Sequence, residues 1–150
     1  MGRILCLDVG EKRTGVAVSD ETRTVARGLR TIEHDNPKQL IEEVGRLVIE
    51  HDVELVVVGL PVSLSGRPTA RSEAVRRFSR RLSALTRRPV ELFEEDLSTA
   101  RANEVLEQAY GGPRHRTRRA STGLGKRRRQ AVDRIAATII LEDYLAAQEG

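Results

Sequence analysis

Tryptophan is absent from this 150-residue chain, and only four aromatic residues occur, Phe78, Phe93, Tyr110 and Tyr144. So few rings make a base-stacking surface a weak expectation. The single cysteine, Cys6, excludes an intramolecular disulfide and suits a reducing cytoplasm. It lies in an apolar run, where a buried structural thiol is expected rather than a reactive one. His34, His51 and His115 lack the spacing of metal ligands, so no zinc site is expected and each reads as a surface histidine. No apolar run approaches membrane-spanning length, and the first residues are strand-like rather than signal-like. Neither a membrane segment nor a targeting signal is expected, and the expected location is the cytoplasm.

What is abundant is arginine. Of 26 basic residues 23 are arginine, and the net charge is +4. The charge is unevenly spread. Positions 111–129 hold eight basic residues (Arg114, Arg116, Arg118, Arg119, Lys126, Arg127, Arg128 and Arg129) and no acid. Without them, 18 basic residues face 22 acidic ones, a balance of −4. A mildly acidic body with one basic segment points to a polyanionic partner, and guanidinium groups suit bidentate phosphate contacts.

The length fits a single domain over 1–150. Arg3 to Leu7 and Arg13 to Ser19 read as strands of a hairpin joined by Val9-Gly10-Glu11-Lys12. A third strand follows around Thr24 to Ile32. Asn36-Pro37 opens a helix with Leu40, Ile41, Val44, Leu47 and Val48 at helical spacing. The run Leu55-Val56-Val57-Val58 predicts a central strand covered on both faces. After a polar loop at 62–68, Val75, Phe78, Leu82 and Leu85 mark a second helix. Val90 to Phe93 forms a fifth strand. A third helix is expected with Ser98 or Thr99 as N-cap, then a mobile basic loop at about 111–128. A last helix from about Arg129 carries Val132, Ile135, Ala136, Ile139 and Ile140 in one stripe. The order β-β-β-α-β-α-β-α-α predicts an α/β fold, a mixed five-stranded sheet with an N-terminal antiparallel hairpin and flanking helices.

Three acidic positions stand at the ends of apolar elements. Asp8 follows Leu5-Cys6-Leu7, where a charge is costly to bury without a partner; an ion pair with Arg13 is the plain explanation. Glu94 and Glu95 end the fifth strand, where a solvated strand end is the ordinary case. Asp133 is expected in the first turn of the last helix, beside Ala137 and Ile140, where the helix dipole alone would favour an acid. Together they suggest converging carboxylates, which repel unless a cation sits between them. Mg²⁺ or Mn²⁺ bound by such groups would support phosphodiester hydrolysis, with two ions roughly 4 Å apart. The basic segment lies directly before Asp133, where it would neutralise backbone phosphates.

The residues resemble the opening of the YqgF family of bacterial proteins in Leu7-Asp8-Val9-Gly10 and in Arg13-Thr14-Gly15-Val16-Ala17-Val18-Ser19-Asp20. The match continues through Val58-Gly59-Leu60-Pro61, Ser65-Gly66, Leu97-Ser98-Thr99, Val132-Asp133-Arg134-Ile135-Ala136-Ala137 and Ile139-Ile140-Leu141. That family is described as pre-16S ribosomal RNA nucleases and as Holliday junction resolvase-like proteins. The resemblance implies an RNase H-like fold and a divalent-metal triad of Asp8, Glu95 and Asp133, with Arg13 and the eight basic residues above contacting nucleic acid. One departure stands out: the family commonly shows Asp-Glu-Arg where this chain has Glu94-Glu95-Asp96. The arginine's phosphate contact is then absent, and Asp96 adds negative charge near the metals.

The function implied is a metal-dependent endonuclease maturing the 5′ end of pre-16S rRNA, on free precursor or a ribosomal particle, as monomer or homodimer. Cleavage of branched DNA is the alternative, and it would require two symmetry-related sites. A non-catalytic rRNA-binding factor is the alternative of another class. Asp-x-Gly before a hairpin also resembles the phosphate loop of actin-type ATPases, but those folds repeat the domain and 150 residues leave no room for two.

Overall fold

A computed structural model of the chain describes residues 2–61, 69–95 and 122–149. Its strands are β1 (Arg3–Val9), β2 (Arg13–Ser19), β3 (Ala26–Glu33), β4 (Val53–Pro61) and β5 (Val90–Glu95), and its helices α1 (Pro37–Glu50), α2 (Ala70–Thr86) and α3 (Thr122–Glu149). The sheet order is β3-β2-β1-β4-β5. The three N-terminal strands pair antiparallel, while β4 joins β1 and β5 in parallel. This is the predicted mixed five-stranded sheet. The predicted loop at 62–68 and the helix after Ser98 lie outside the described residues.

Strand alternation divides the core in two. On one face Leu5, Leu7, Val16, Val18, Val56 and Val58 pack beneath α1 and α2. On the other, Ile4, Cys6, Ala17, Leu55 and Val57 meet Ala137, Ile140, Leu141 and Tyr144 of α3. Strands β1 and β4 are therefore buried on both sides, as their unbroken apolar runs require. Full burial of each such side chain is worth about 1.5–3 kcal/mol.

Local chemistry sets the helix ends. The Asn36 side chain accepts a hydrogen bond from the Gln39 backbone N–H at 2.9 Å, with Pro37 in the first turn where no N–H is needed. Thr69 and Ser72 form a reciprocal capping box at α2, which ends at Arg87 in the left-handed region (φ 57°).

Three expectations change. Leu85 is 58% exposed rather than core; it lies in the last turn of α2, leaning toward Gly45 of α1. His34, expected at the surface, is 7% exposed, because it continues β3 inward to meet Thr14, whose hydroxyl lies 2.9 Å from its Nε2. The last helix begins at Thr122, not near Arg129, so residues 122–128 of the expected loop are helical. Residues 126–129 are exposed there and carry no apolar stripe. Unbranched Lys and Arg nevertheless favour helix, and Lys126 and Gln130 tether it to Glu33 on β3 at 3.2 and 3.0 Å. Residues 111–121 lie outside the described residues. Among the described residues no helix is long and apolar enough to cross a membrane.

Candidate active site

The close approach of α3 to the sheet assembles the site. Gly15 on β2 is the register partner of Asp8 on β1. A Cβ at Gly15 would overlap the backbone carbonyl of Asp133, so only glycine lets the helix settle there. At Gly59 a Cβ would lie 2.9 Å from Ile140 Cδ1. Small residues thus bring the backbone of Asp133 down beside the end of β1.

Asp8 alternates with Ile4 and Cys6 and so belongs to the α3 face of the sheet. Its carboxyl pKa is raised, first by burial and then by the charge of Asp133, with Arg71 acting in the opposite sense. The ion pair that would have been the plain alternative account of Asp8 is made elsewhere: Arg13 Nε donates to Asp133 Oδ2 at 2.7 Å. Asp133 stands about three turns into its helix rather than in the first, so the helix dipole does not account for it.

Period-two alternation separates the two glutamates. Tyr144 Oη donates to Glu91 Oε2 at 2.6 Å, and the Phe93 ring packs edge-on against Tyr144, centroids 5.4 Å apart. Glu91, Phe93 and Glu95 therefore share the α3 face. Leu92 packs against the opposite core, so Glu94 belongs to that side. Glu95 pairs with Pro61 at the same end of the sheet as Asp8. The charges of both Asp8 and Glu95 reinforce the burial that raises the Cys6 thiol pKa. Cys6 is fully buried, the inert structural thiol expected of it. Among the described residues no group of three or more His, Cys, Asp or Glu is spaced to hold a metal ion.

Of the expected nucleic-acid contacts, Arg13 lies at this site, and Lys126, Arg127, Arg128 and Arg129 are exposed on the first turns of α3. Arg114, Arg116, Arg118 and Arg119 lie outside the described residues. One participant was hidden in the sequence. Arg71, on α2, donates from Nη2 to the Val9 carbonyl at 2.8 Å and bears on Asp8. A cation in the first turn of a helix opposes the macrodipole, which was the available signal that Arg71 serves something beyond the helix.

The sequence profile of the RuvX family, described as Holliday junction resolvase, matches residues 2–147. The chain belongs to this family. Curated relatives bear the name "Putative pre-16S rRNA nuclease". One from Chloroflexus aggregans is 38% identical over 145 residues, covering 97% of this chain and 94% of its own. One from Moorella thermoacetica is 42% identical over 143 residues, covering 95% and 94%. Among solved structures, Thermus thermophilus RuvC in complex with a Holliday junction substrate matches with a TM-score of 0.53 at 13% identity, covering 100% of this chain and 97% of that one. Fowlpox virus resolvase with junction DNA gives 0.57 at 14% identity, covering 99% of each. The fold is therefore the RNase H-like fold of the resolvases. Membership in a nuclease family makes phosphodiester hydrolysis the chemistry for which the acidic face must account.

Proposed function

We propose that the chain is a divalent-metal-dependent endonuclease of the cytoplasm that acts on pre-16S rRNA, with its reaction centre at Asp8, Asp133 and Glu95. One observation carries the reading: Asp8 is sequestered beside the like charge of Asp133, which raises its pKa. A buried carboxyl held beside a like charge is disfavoured in its ionised form and favours a bound cation. Oxygen donors of this kind suit Mg²⁺ or Mn²⁺. When bound, such an ion supplies charge neutralisation at the phosphate and a more acidic water.

Asp8 and Asp133 would hold the ion; Glu95 lies on the same face, but the three acids as they stand are not spaced to share one ion, so Glu95 would join only by moving closer. Arg13 now occupies one oxygen of Asp133. On binding of nucleic acid, its guanidinium would pass to a backbone phosphate, which it can grip in bidentate fashion. Arg71 restrains the turn after Asp8 through the Val9 carbonyl. The exposed basic start of α3 adds sequence-independent attraction for the strand. Because the family profile is described as a Holliday junction resolvase, branched DNA is the second substrate to test; cutting it would call for a homodimer.

The test is a cleavage assay of purified protein on a precursor 16S 5′ fragment and on a four-way DNA junction, with and without Mn²⁺. Cleavage of the RNA that needs the ion and disappears in Asp8→Asn and Asp133→Asn supports the reading. Junction-only cleavage transfers the function to DNA. Turnover by Asp8→Asn equal to the parent's removes the metal mechanism.

A further inference from the structure

We propose that the cavity behind the β1–β2 turn, on the face opposite α3, accepts one unstacked base of the nucleic-acid strand whose phosphates run past Asp8. The proposal rests on the nuclease reading and adds how a strand is gripped. The cavity is about 200 Å³ in volume; Val9, Leu40, Val75 and Phe78 are among its apolar lining, and its polar lining comprises His34, Arg71, Asn36 and the two acids Glu11 and Asp35. That volume is below the range of pockets for drug-sized ligands and suits a single ring system.

Three features select the occupant. Leu40, Val75 and Phe78 are nearly fully buried, so the cavity floor is apolar core and would exclude a phosphate. Arg71 can receive the phosphate instead: it uses Nη2 for the Val9 carbonyl, and a guanidinium carries five N–H donors. The same arginine bears on Asp8, so cavity and reaction centre share a wall. Finally, His34 is 7% exposed and its buried Nδ1 has no hydrogen-bond partner among the described residues, while Nε2 engages Thr14. An unmatched buried nitrogen costs roughly 1–3 kcal/mol, and a base edge would match it once the His34 ring turns to present Nδ1 to the cavity.

A base paired in a duplex cannot enter such a cavity, and pulling one out costs a few kcal/mol. The enzyme should therefore prefer strands with unpaired nucleotides near the cut. The scarcity of aromatic residues is no obstacle, because the base is enclosed by apolar walls, Phe78 among them, rather than stacked along a surface.

Ala74 lines the cavity and is exposed on α2. Ala74→Leu should fill the cavity while keeping a strong helix former. The experiment measures equilibrium binding, without added divalent ion, of single-stranded RNA carrying 2-aminopurine, the same strand with abasic sites, and a blunt RNA duplex. Expected is a tenfold or greater loss of single-strand affinity in Ala74→Leu, a similar loss for the abasic strand on the parent protein, unchanged duplex affinity and an unchanged melting temperature. Equal affinity of the parent for intact and abasic strands overturns the proposal whatever the variant does. Equal single-strand affinity of a folded Ala74→Leu and the parent overturns it too. Base-dependent binding without cleavage would leave this proposal standing and remove only the nuclease reading.

Discussion

The two faces of the sheet do different work. Beneath α1 and α2 lies a broad apolar cluster built of Leu, Val, Ile and Phe, spaced by side-chain bulk. Beneath α3 the packing depends on small residues, with Gly15 against the Asp133 carbonyl, Gly28 near Thr138 and Gly59 near Ile140. The first arrangement stabilises, and the second positions. The same strands serve both, because Leu5 and Leu7 point one way while Cys6 and Asp8 point the other. A carboxylate can sit at the end of β1 because its neighbours on the opposite face carry the burial energy.

That division can be broken at several points. The largest effect is expected from Asp8→Asn: loss of several kcal/mol of transition-state stabilisation, on the order of 10³-fold in turnover. The metal-free variant should at the same time melt a few degrees higher than the parent. The sign follows from the raised pKa of Asp8, since ionising that group costs the folded state more than the unfolded one. Below the ordinary aspartate range the carboxyl is neutral in both states, and parent and variant should converge. The parent should fall behind as pH rises through the ordinary range toward the raised pKa. Melts of both proteins from pH 3 to 8 check this, and parallel curves would remove the burial argument.

Leu82→Ala, on the far face and fully buried, should cost about 2–5 kcal/mol in denaturant unfolding, with turnover per folded molecule unchanged. Gly15→Ala should cost roughly 3 kcal/mol by overpacking and also lose activity, because it lifts Asp133 away from Asp8. If the two variants lose activity equally per folded molecule, the faces are not separable. A smaller effect is expected for Tyr144→Phe. The Tyr144 hydroxyl is pushed up to about 12 by burial and by its bond to Glu91; its removal should cost roughly 1–2 kcal/mol. The smallest shift is in salt dependence. Neutralising Arg127, Arg128 and Arg129 should flatten the slope of log K against log salt by about 0.7 for each phosphate no longer neutralised on single strands.

Sequence patterning made the frame legible. The hairpin, the Leu55 to Val58 run of β4 and α1 follow directly from apolar patterning at strand and helix periods. The three acids could be singled out because each ends or flanks an apolar element. What remained hidden depended on packing between distant segments. The destination of Arg13 was ambiguous, since Asp8 is its nearer partner in sequence, whereas Asp133 is the one that α3 delivers. His34 looked like any surface histidine because its burial depends on Thr14 across the strand pair. The start of α3 was obscured by its charge, since periodicity reports burial and Lys126 to Arg129 are exposed.

The central claim is that Asp8 and Asp133 form one cation site. The most direct measurement is a calorimetric titration of Mn²⁺ into the parent, Asp8→Asn and Asp133→Asn, each shown to be folded, in the absence of nucleic acid. The predicted result is binding to the parent that is weakened at least tenfold in each variant. Mn²⁺ affinity in both variants equal to the parent's would contradict it.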